Sequence, residues 1–380
     1  MDPAAGGPTP PELQNIIERI RSAAQDATPL RIRGGGSKDF YGGALTGEPL
    51  DMSGYAGVSS YEPSELVVTV RAGTPLAELE ALLARQGQCL PFEPPHFGQN
   101  SAQATVGGMV AAGLAGPARA SVGSVRDYVL GARMINGRGE LLTFGGQVMK
   151  NVAGYDVSRV LAGSLGVLGV IAELSLKVLP VAPAEATLAF ECSQAEALKR
   201  LNQWGGQPLP LNASCWTQQG GQGWLSLRLR GAAAAVEAAC RQLGGERSDP
   251  AQSAARWTAL REQQLPFFAE RSDEQALWRL SLPQTAPALA LDDAPPPLIE
   301  WHGGQRWYLL PPGQVAQLRS AARAAGGHAT LFARAALDDA QPRADAFEAL
   351  SPALQKIHAA LKREFDPQGI FNRGRLYADL

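Results

Sequence analysis

Ala104-Thr105-Val106-Gly107-Gly108-Met109-Val110-Ala111-Ala112-Gly113 is the stretch on which the reading of this chain turns. A glycine pair after Thr-Val, ahead of small apolar residues, lets the backbone approach another surface closely and present N–H groups that side chains would cover. Glycine stays dense around it, at Gly98, Gly116, Gly123, Gly145-Gly146, Gly154, Gly163, Gly166 and Gly169. Asn136-Gly137, between residues 128–135 and 141–144, reads as an ordinary hairpin turn. The rest of the cluster is read as facing a ligand.

Upstream, a short strand over residues 30–33 runs into Gly34-Gly35-Gly36-Ser37-Lys38. The order does not match G-x-x-x-x-G-K-[ST], and no G-x-G-x-x-G opens a helix with an acidic residue about 20 positions later. Three glycines after a strand can still wrap consecutive N–H groups around a pyrophosphate, with Ser37 adding a hydroxyl. Thr9-Pro10-Pro11-Glu12 predicts a capped helix start, and Leu13, Ile16, Ile17, Ile20, Ala23 and Ala24 recur at helical spacing. Residues 66–71 form a β-branched run, and Thr74-Pro75 starts a helix carrying Leu76, Leu79, Leu82 and Leu83 on one side, ended by Gln86-Gly87.

The 380 residues hold 34 Lys+Arg against 36 Asp+Glu, a net charge of −2 that lacks the basic stripe of a nucleic-acid binder. An apolar share of 45% is enough to fill the cores of two or three domains. Cys89, Cys192, Cys215 and Cys240 form no C-x-x-C pair, and His96, His302, His328 and His358 show no ligand spacing, so no metal or iron–sulfur site is expected. His302, beside a Gly-Gly turn, reads as hairpin surface. No signal peptide is visible, and the apolar stretch 167–179 is broken by Glu173 and Lys177. A cytoplasmic protein with no membrane span of its own is expected.

Residues 180–183 mark a boundary. Strands at 187–192, 224–230, 277–282 and 330–332, and a hairpin over 299–310 around Gly303-Gly304, then alternate with helices at 194–204, 232–243 and 314–325. That pattern predicts helices packed on one face of an antiparallel sheet. Residues 286–297 read as a flexible proline-rich loop, and residues 361–377 as a short helix and a turn returning to the first domain.

Further motifs accompany the two glycine loops: Glu93-Pro94-Pro95, Ser121-Val122-Gly123-Ser124-Val125-Arg126-Asp127, Lys150-Asn151-Val152-Ala153-Gly154-Tyr155-Asp156 and Gly163-Ser164-Leu165-Gly166-Val167-Leu168-Gly169-Val170-Ile171. Together they resemble the FAD-binding domain of the vanillyl-alcohol oxidase superfamily, the p-cresol methylhydroxylase (PCMH) type, over residues 10–180 and the tail. Leu90-Pro91, His96, Gly113-Leu114-Ala115-Gly116-Pro117, Gln263-Gln264-Leu265-Pro266-Phe267-Phe268, Gly326-Gly327-His328-Ala329-Thr330 and Gly374-Arg375 extend the likeness over nearly the whole chain. They resemble the smaller FAD-binding subunits of bacterial glycolate oxidases, also called glycolate dehydrogenases.

The resemblance implies an α+β protein: an FAD-binding domain of two α/β subdomains over residues 1–182, a smaller α/β cap of antiparallel sheet and helices over 183–354, and a tail, 355–380, returning to the FAD domain. It implies oxidation of a small 2-hydroxy acid, glycolate to glyoxylate, with hydride passing to flavin and a base taking the hydroxyl proton. Partners would be a larger FAD-binding subunit and an iron–sulfur subunit, with any membrane association through that complex.

By the same resemblance, Gly34, Gly35, Gly36 and Ser37 match the pyrophosphate loop, and Thr105, Gly107 and Gly108 the second loop along the FAD. Gly113, Ser124, Gly166 and Ile171 line the adenosine-diphosphate or ribityl side. Lys150, Asn151, Gly154 and Tyr155 lie near the flavin ring, and Asn372 corresponds to a terminal Asn-Pro-Gly turn in which Arg373 here replaces Pro. With no His in the first loop and no Cys in residues 98–131, FAD is expected to be noncovalent. Arg126-Asp127 reads as a structural ion pair. Tyr155 and Phe92 either touch the cofactor or pack in a core. His328 is either a base facing the flavin or a hydrogen-bonded structural residue, with Arg375 as its carboxylate-binding counterpart. Trp216, Trp224, Trp301 and Trp307 either fill the cap core or form a docking surface.

The His-x-Gly-Asp-x-Asn-like metal run of larger hydroxy-acid dehydrogenases in the superfamily is absent. Three readings follow: an FAD-bearing subunit whose partner oxidises the substrate, a self-sufficient dehydrogenase using His328 and Arg375, and an FAD-fold assembly scaffold without redox chemistry. The intact glycine loops argue against the last.

Overall fold

The computed structural model describes residues 10–98, 103–146, 156–291, 293–336 and 346–380. Helix α1 (Pro11–Gln25) buries Leu13, Ile17, Ile20 and Ala23; its cap position is Pro10, while Thr9 lies outside the described residues. Strand β1 (Leu30–Arg33) pairs in parallel with β2 (Glu48–Asp51), so the first glycine loop lies in the connection between parallel strands. Next come β3 (Val58–Glu62), β4 (Val67–Arg71), α2 (Leu76–Ala84), β5 (Gln88–Cys89), α3 (Val106–Ala112), the single turn α4 (Arg119–Val122), β6 (Val129–Ile135), β7 (Leu141–Gly145), α5 (Val157–Val160), β8 (Val170–Lys177) and β9 (Leu179–Pro180).

Five of these strands form an antiparallel sheet in the order β3-β4-β8-β6-β7. The β6–β7 hairpin forms as expected. Asn136 Oδ1 accepts from the N–H groups of Arg138 and Glu140 at 3.0 Å, and Gly139 supplies the positive φ of +69°. Leu76, Leu79 and Leu83 of α2 and Val106, Met109 and Val110 of α3 pack against Val68, Val70 and Leu174 of that sheet. Phe92 belongs to this core, 5.3 Å from the Tyr128 ring.

The second unit comprises β10 (Ala184–Glu191), α6 (Gln194–Gly205), β11 (Leu211–Gln219), β12 (Gln222–Gly231), α7 (Ala233–Leu243), β13 (Glu246–Arg247), α8 (Pro250–Arg261), α9 (Pro266–Ala269), β14 (Ala276–Ser281), β15 (Leu298–Glu300), β16 (Gln305–Leu310), α10 (Val315–Ala324) and β17 (His328–Ala333). Its strands make one antiparallel sheet, β13-β10-β12-β11-β15-β16-β14-β17. Period-two alternation decides what each face covers. Trp278, Tyr308 and Leu310 pack on α10, whereas Leu277, Trp307 and Leu309 face the opposite way, toward Trp257 and Leu260 of α8 and Tyr41, Leu114 and Leu165 of the first unit. Helices therefore cover both faces, not one as expected, because α8 and α9 fill the junction with the first unit.

Other expectations change with this packing. Trp216 is buried in the cap core, Trp307 is buried in the cluster shared with the first unit, and Trp301 is buried with its Nε1 donating to Gly116 O, so these three offer no docking face, while Trp224 is half-buried. His302 is buried, not on the hairpin surface: its Nε2 lies 3.1 Å from Ser121 Oγ, and its backbone N–H donates to Ser214 Oγ. The proline-rich loop is anchored at its start by the fully buried Arg306, which donates to the carbonyls of Ala286, Pro287 and Gly303.

Helix α11 (Pro352–Phe365) leads the tail back to the first unit. Lys362 Nζ donates at 2.8 Å to Val167 O, Phe371 O and Asp366 Oδ2, and Leu30 N donates to Ile370 O at 2.7 Å, so the tail lies along β1.

Candidate cofactor site

The cradle forms where the β1 loop, the start of α3 and the tail converge. A Cβ on Gly34 would stand 2.2 Å from Thr105 Oγ1, and one on Gly35 only 1.4 Å from Gln103 O, so the two loops touch only because both residues are glycine. Thr105 caps α3, its Oγ1 accepting from Gly108 N at 3.2 Å. The adjacent glycines differ. A Cβ on Gly107 would strike Ala72 Cβ at 2.7 Å, whereas one on Gly108 would meet, among the described residues, only Thr105 Oγ1, at 3.1 Å. Gly107 is thus a packing residue and Gly108 the more open of the pair.

Asn372, at φ +42°, closes the opposite wall: its Oδ1 accepts from Ile32 N at 2.7 Å, and its Nδ2 donates to Leu165 O at 2.6 Å. The replacement of Pro by Arg373 leaves this turn held by hydrogen bonds, including Arg373 Nη2 to Gln368 O at 3.4 Å. Two adjoining cavities result. One, of about 90 Å³, is lined by Gly34, Gly35, Gly36, Ser37, Lys38, Thr105 and Asn372 among others. The second, of about 70 Å³, is bounded by Gly34, Thr105, Gly107, Gly108, Gly166, Ile171 and Asn372. Backbone N–H groups, the Ser37 hydroxyl and the cations Arg33, Lys38 and Arg375 on the first cavity wall suit a diphosphate.

Other expected residues stand elsewhere. Gly113 ends α3 at φ +64°, where a Cβ would hit Gly163 N at 2.8 Å, and it lines neither cavity. Ser124 is engaged in a capping box, its Oγ donating to Asp127 Oδ2 at 2.9 Å, which takes it out of the cradle. Arg126 and Asp127 form an exposed pair at 3.9 Å. Lys150, Asn151, Gly154 and Tyr155 lie outside the described residues. Arg375 is buried, but its guanidinium donates to the carbonyls of Gly43, Lys38 and Asp39; it clamps the loop and is not presented to a substrate carboxylate. His328 is exposed at the start of edge strand β17 and lines neither cradle cavity, so geometry does not support it as a base.

Three residues of interest were not singled out from the sequence. Lys38 Nζ donates to Ser37 Oγ and His96 O, and burial pushes its ammonium down to about 8 against the opposing charge of Glu262. Arg279 and Glu300 line a cavity of about 20 Å³ between the units, walled by Phe97, Trp307 and Phe332. Burial raises the Glu300 carboxyl to about 7, although Trp307 Nε1 and Gln305 Nε2 both donate to its Oε1. Lys38 was legible only as the residue that ends Gly34-Gly35-Gly36-Ser37-Lys38; the other two depend on strand pairing that brings distant segments together.

Residues 9–145 match a family model described as an FAD binding domain. Over 367 residues the chain is 46% identical to glycolate oxidase subunit GlcE of Escherichia coli K12, covering 97% of this chain and 98% of that protein. The chain belongs to the GlcE family of glycolate oxidase subunits. It is an α+β FAD-binding oxidoreductase of the PCMH type. Glycolate oxidase subunit GlcD of Bacillus subtilis is 27% identical over 47% of this chain, and D-lactate dehydrogenase of Archaeoglobus fulgidus 30% identical over 45%; the match spans 38% of each relative. An alkyldihydroxyacetonephosphate synthase superposes with a TM-score of 0.61, covering 94% of this chain and 73% of its own at 16% identity, which shows a shared fold. Among the described residues no helix is long and apolar enough to cross a membrane, and no three His, Cys, Asp or Glu are grouped to hold a metal ion.

Proposed function

We propose that this chain is the smaller FAD-bearing subunit of a complex that oxidises glycolate, or a closely related 2-hydroxy acid, to the 2-oxo acid. The observation that carries the reading is the contact of the Gly34–Ser37 loop with Thr105, which makes one cradle of two glycine loops. Ser37, Thr105, Gly108, Gly166, Ile171 and Asn372 hold the cofactor there noncovalently. Bound FAD supplies a two-electron acceptor for the substrate's α-hydride. Asn372 and Arg375 keep the loop in shape before the cofactor arrives, which lowers the ordering cost of binding.

A larger flavin-binding subunit and an iron–sulfur subunit complete the complex, which works in the cytoplasm and reaches the membrane through those partners. With His328 exposed and Arg375 engaged by backbone carbonyls, the substrate is oxidised with the partner's participation. A second reading, a self-sufficient dehydrogenase, draws on Arg279 and the raised Glu300 in the cavity between the units. Glycolate-dependent dye reduction by the chain alone and by the assembled complex separates the two. The subunit reading expects flavin in both and turnover only in the complex; turnover by the chain alone overturns it.

A further inference from the structure

We infer that Lys38 supplies the positive charge that meets the diphosphate of FAD in the cradle. The inference rests on the FAD reading above and adds a residue, with a stated electrostatic role, that family membership does not assign.

Among the described residues the first cavity wall carries Arg33, Lys38, Arg375 and Asp39, three cations against one anion, an excess of two positive charges. A bridging diphosphate carries two negative charges, so the sign and size of the imbalance match. The cations are not equivalent. Arg33 is already matched, with Nη2 at 2.9 Å and Nε at 3.0 Å from Asp39 Oδ2. Arg375 is tied to three backbone carbonyls.

Among the described residues Lys38 has only neutral hydrogen-bond partners: Ser37 Oγ at 3.2 Å and His96 O at 3.1 Å. Two of its three N–H groups are thereby used, and with the Nζ 5.7 Å from the centroid of the Phe97 ring, the third has no oxygen acceptor among the described residues. The carboxylate that acts on it, Glu262, accepts instead from the N–H groups of His96 and Phe97 and from Arg261 Nε. Holding a cation away from water without a direct counter-ion is costly, and that cost falls when an anion enters beside it. Ser37, at the end of the glycine loop, is the group Lys38 touches, so an anion on that loop stands next to the ammonium. Burial lowers the Lys38 ammonium to about 8, and the charge of Glu262 offsets this only in part.

The test titrates the full-length chain, freed of flavin, with FAD, ADP and riboflavin, comparing wild type, Lys38→Met and Lys38→Arg over a range of salt. Loss of a charge-assisted phosphate contact weakens FAD and ADP by about 10- to 100-fold in Lys38→Met, leaves riboflavin unchanged and flattens the salt dependence. Lys38→Arg keeps most of the affinity. The flavin-free Lys38→Met chain melts at or above the wild-type temperature, since an unpaired cation has been removed; a merely structural lysine would lower it. FAD and ADP affinities within twofold of wild type in a folded Lys38→Met, an equal loss for riboflavin, or salt-independent binding by wild type each overturn the inference. Wild type that binds neither FAD nor ADP overturns the FAD reading itself, and this inference with it.

Discussion

Both carboxylate oxygens of Glu93 lie 2.7 Å from Arg228 Nη2, across the junction between the two units. Arg230 Nη1 adds a contact at 3.2 Å and Ala118 N one at 3.1 Å, while Arg228 itself lies over the Trp257 ring and donates to Asn212 Oδ1 at 2.6 Å. Burial alone would raise the Glu93 carboxyl, but Arg228, Arg230 and the Ala118 N–H outweigh it and hold it below its ordinary 4.5. The pair joins the two units together with Trp301 Nε1, which donates to Gly116 O, and Arg279 Nη2, which donates to Tyr41 Oη.

Glu93→Ala should lower the unfolding free energy by about 3 kcal/mol, because it strands a buried guanidinium, and Arg228→Met added to it should restore part of the loss. Urea midpoints of wild type and the two variants check this. The Glu93 contribution is fully present above pH 4.5 and is lost as pH falls through the depressed folded value, so the gap between wild type and Glu93→Ala should close in acid.

Glu300 behaves in the opposite sense. Its folded value of about 7 exceeds the ordinary 4.5, so between these the unfolded state releases its proton first and stability falls as pH rises, by at most about 3 kcal/mol. Glu300→Gln keeps an oxygen to accept from Trp307 and Gln305 and removes the titration. Its melting temperature should match wild type near pH 4.5 and exceed it most above pH 7; an equal difference at both would contradict this account.

Gly107→Val and Gly108→Val should separate folding from cofactor binding. The first drives a side chain into Ala72 and should cost about 1–3 kcal/mol even without FAD. The second should disturb the apo fold less, its Cβ meeting only Thr105 Oγ1 among the described residues, yet should block the cavity. Thermal melts with and without FAD check both: at 100 times its dissociation constant FAD adds about 2.7 kcal/mol to wild type, and that increment should vanish in Gly108→Val.

Asn372→Ala should lose about 2 kcal/mol, since it removes both bonds that join Ile32 N and Leu165 O to the tail and leaves a buried N–H without its partner. FAD should dissociate faster from this variant, measured as flavin fluorescence after dilution.

Much of this was legible in the chain itself where local patterns govern. The helical spacing of Leu13, Ile17 and Ile20, the Asn136 turn and the β-branched run before Arg71 each specify their element without help. Strand β11 was missed although it sits in the middle of the cap sheet: Asn212, Ser214 and Thr217 break the apolar alternation, and partners such as Arg228 and His302 satisfy the polar groups of Asn212 and Ser214 only in the fold. Helix α8 carried a usable signal in Asp249-Pro250, where the Asp side chain accepts from Gln252 N at 2.9 Å. In the site, glycine patterning located both loops but not why each glycine is there. Gly107 and Gly113 answer to neighbouring backbone and Cβ atoms, and the engagement of Arg375 and Ser124 depends on contacts no spacing reveals.

The central claim, a noncovalent FAD in the cradle of this subunit, is tested most directly by its flavin content. The chain is purified, saturated with FAD, freed of excess, precipitated with acid, and the flavin is counted in supernatant and pellet. The account predicts about one FAD per chain, all of it in the supernatant. A chain that retains no flavin after saturation, or a pellet that stays yellow, contradicts it.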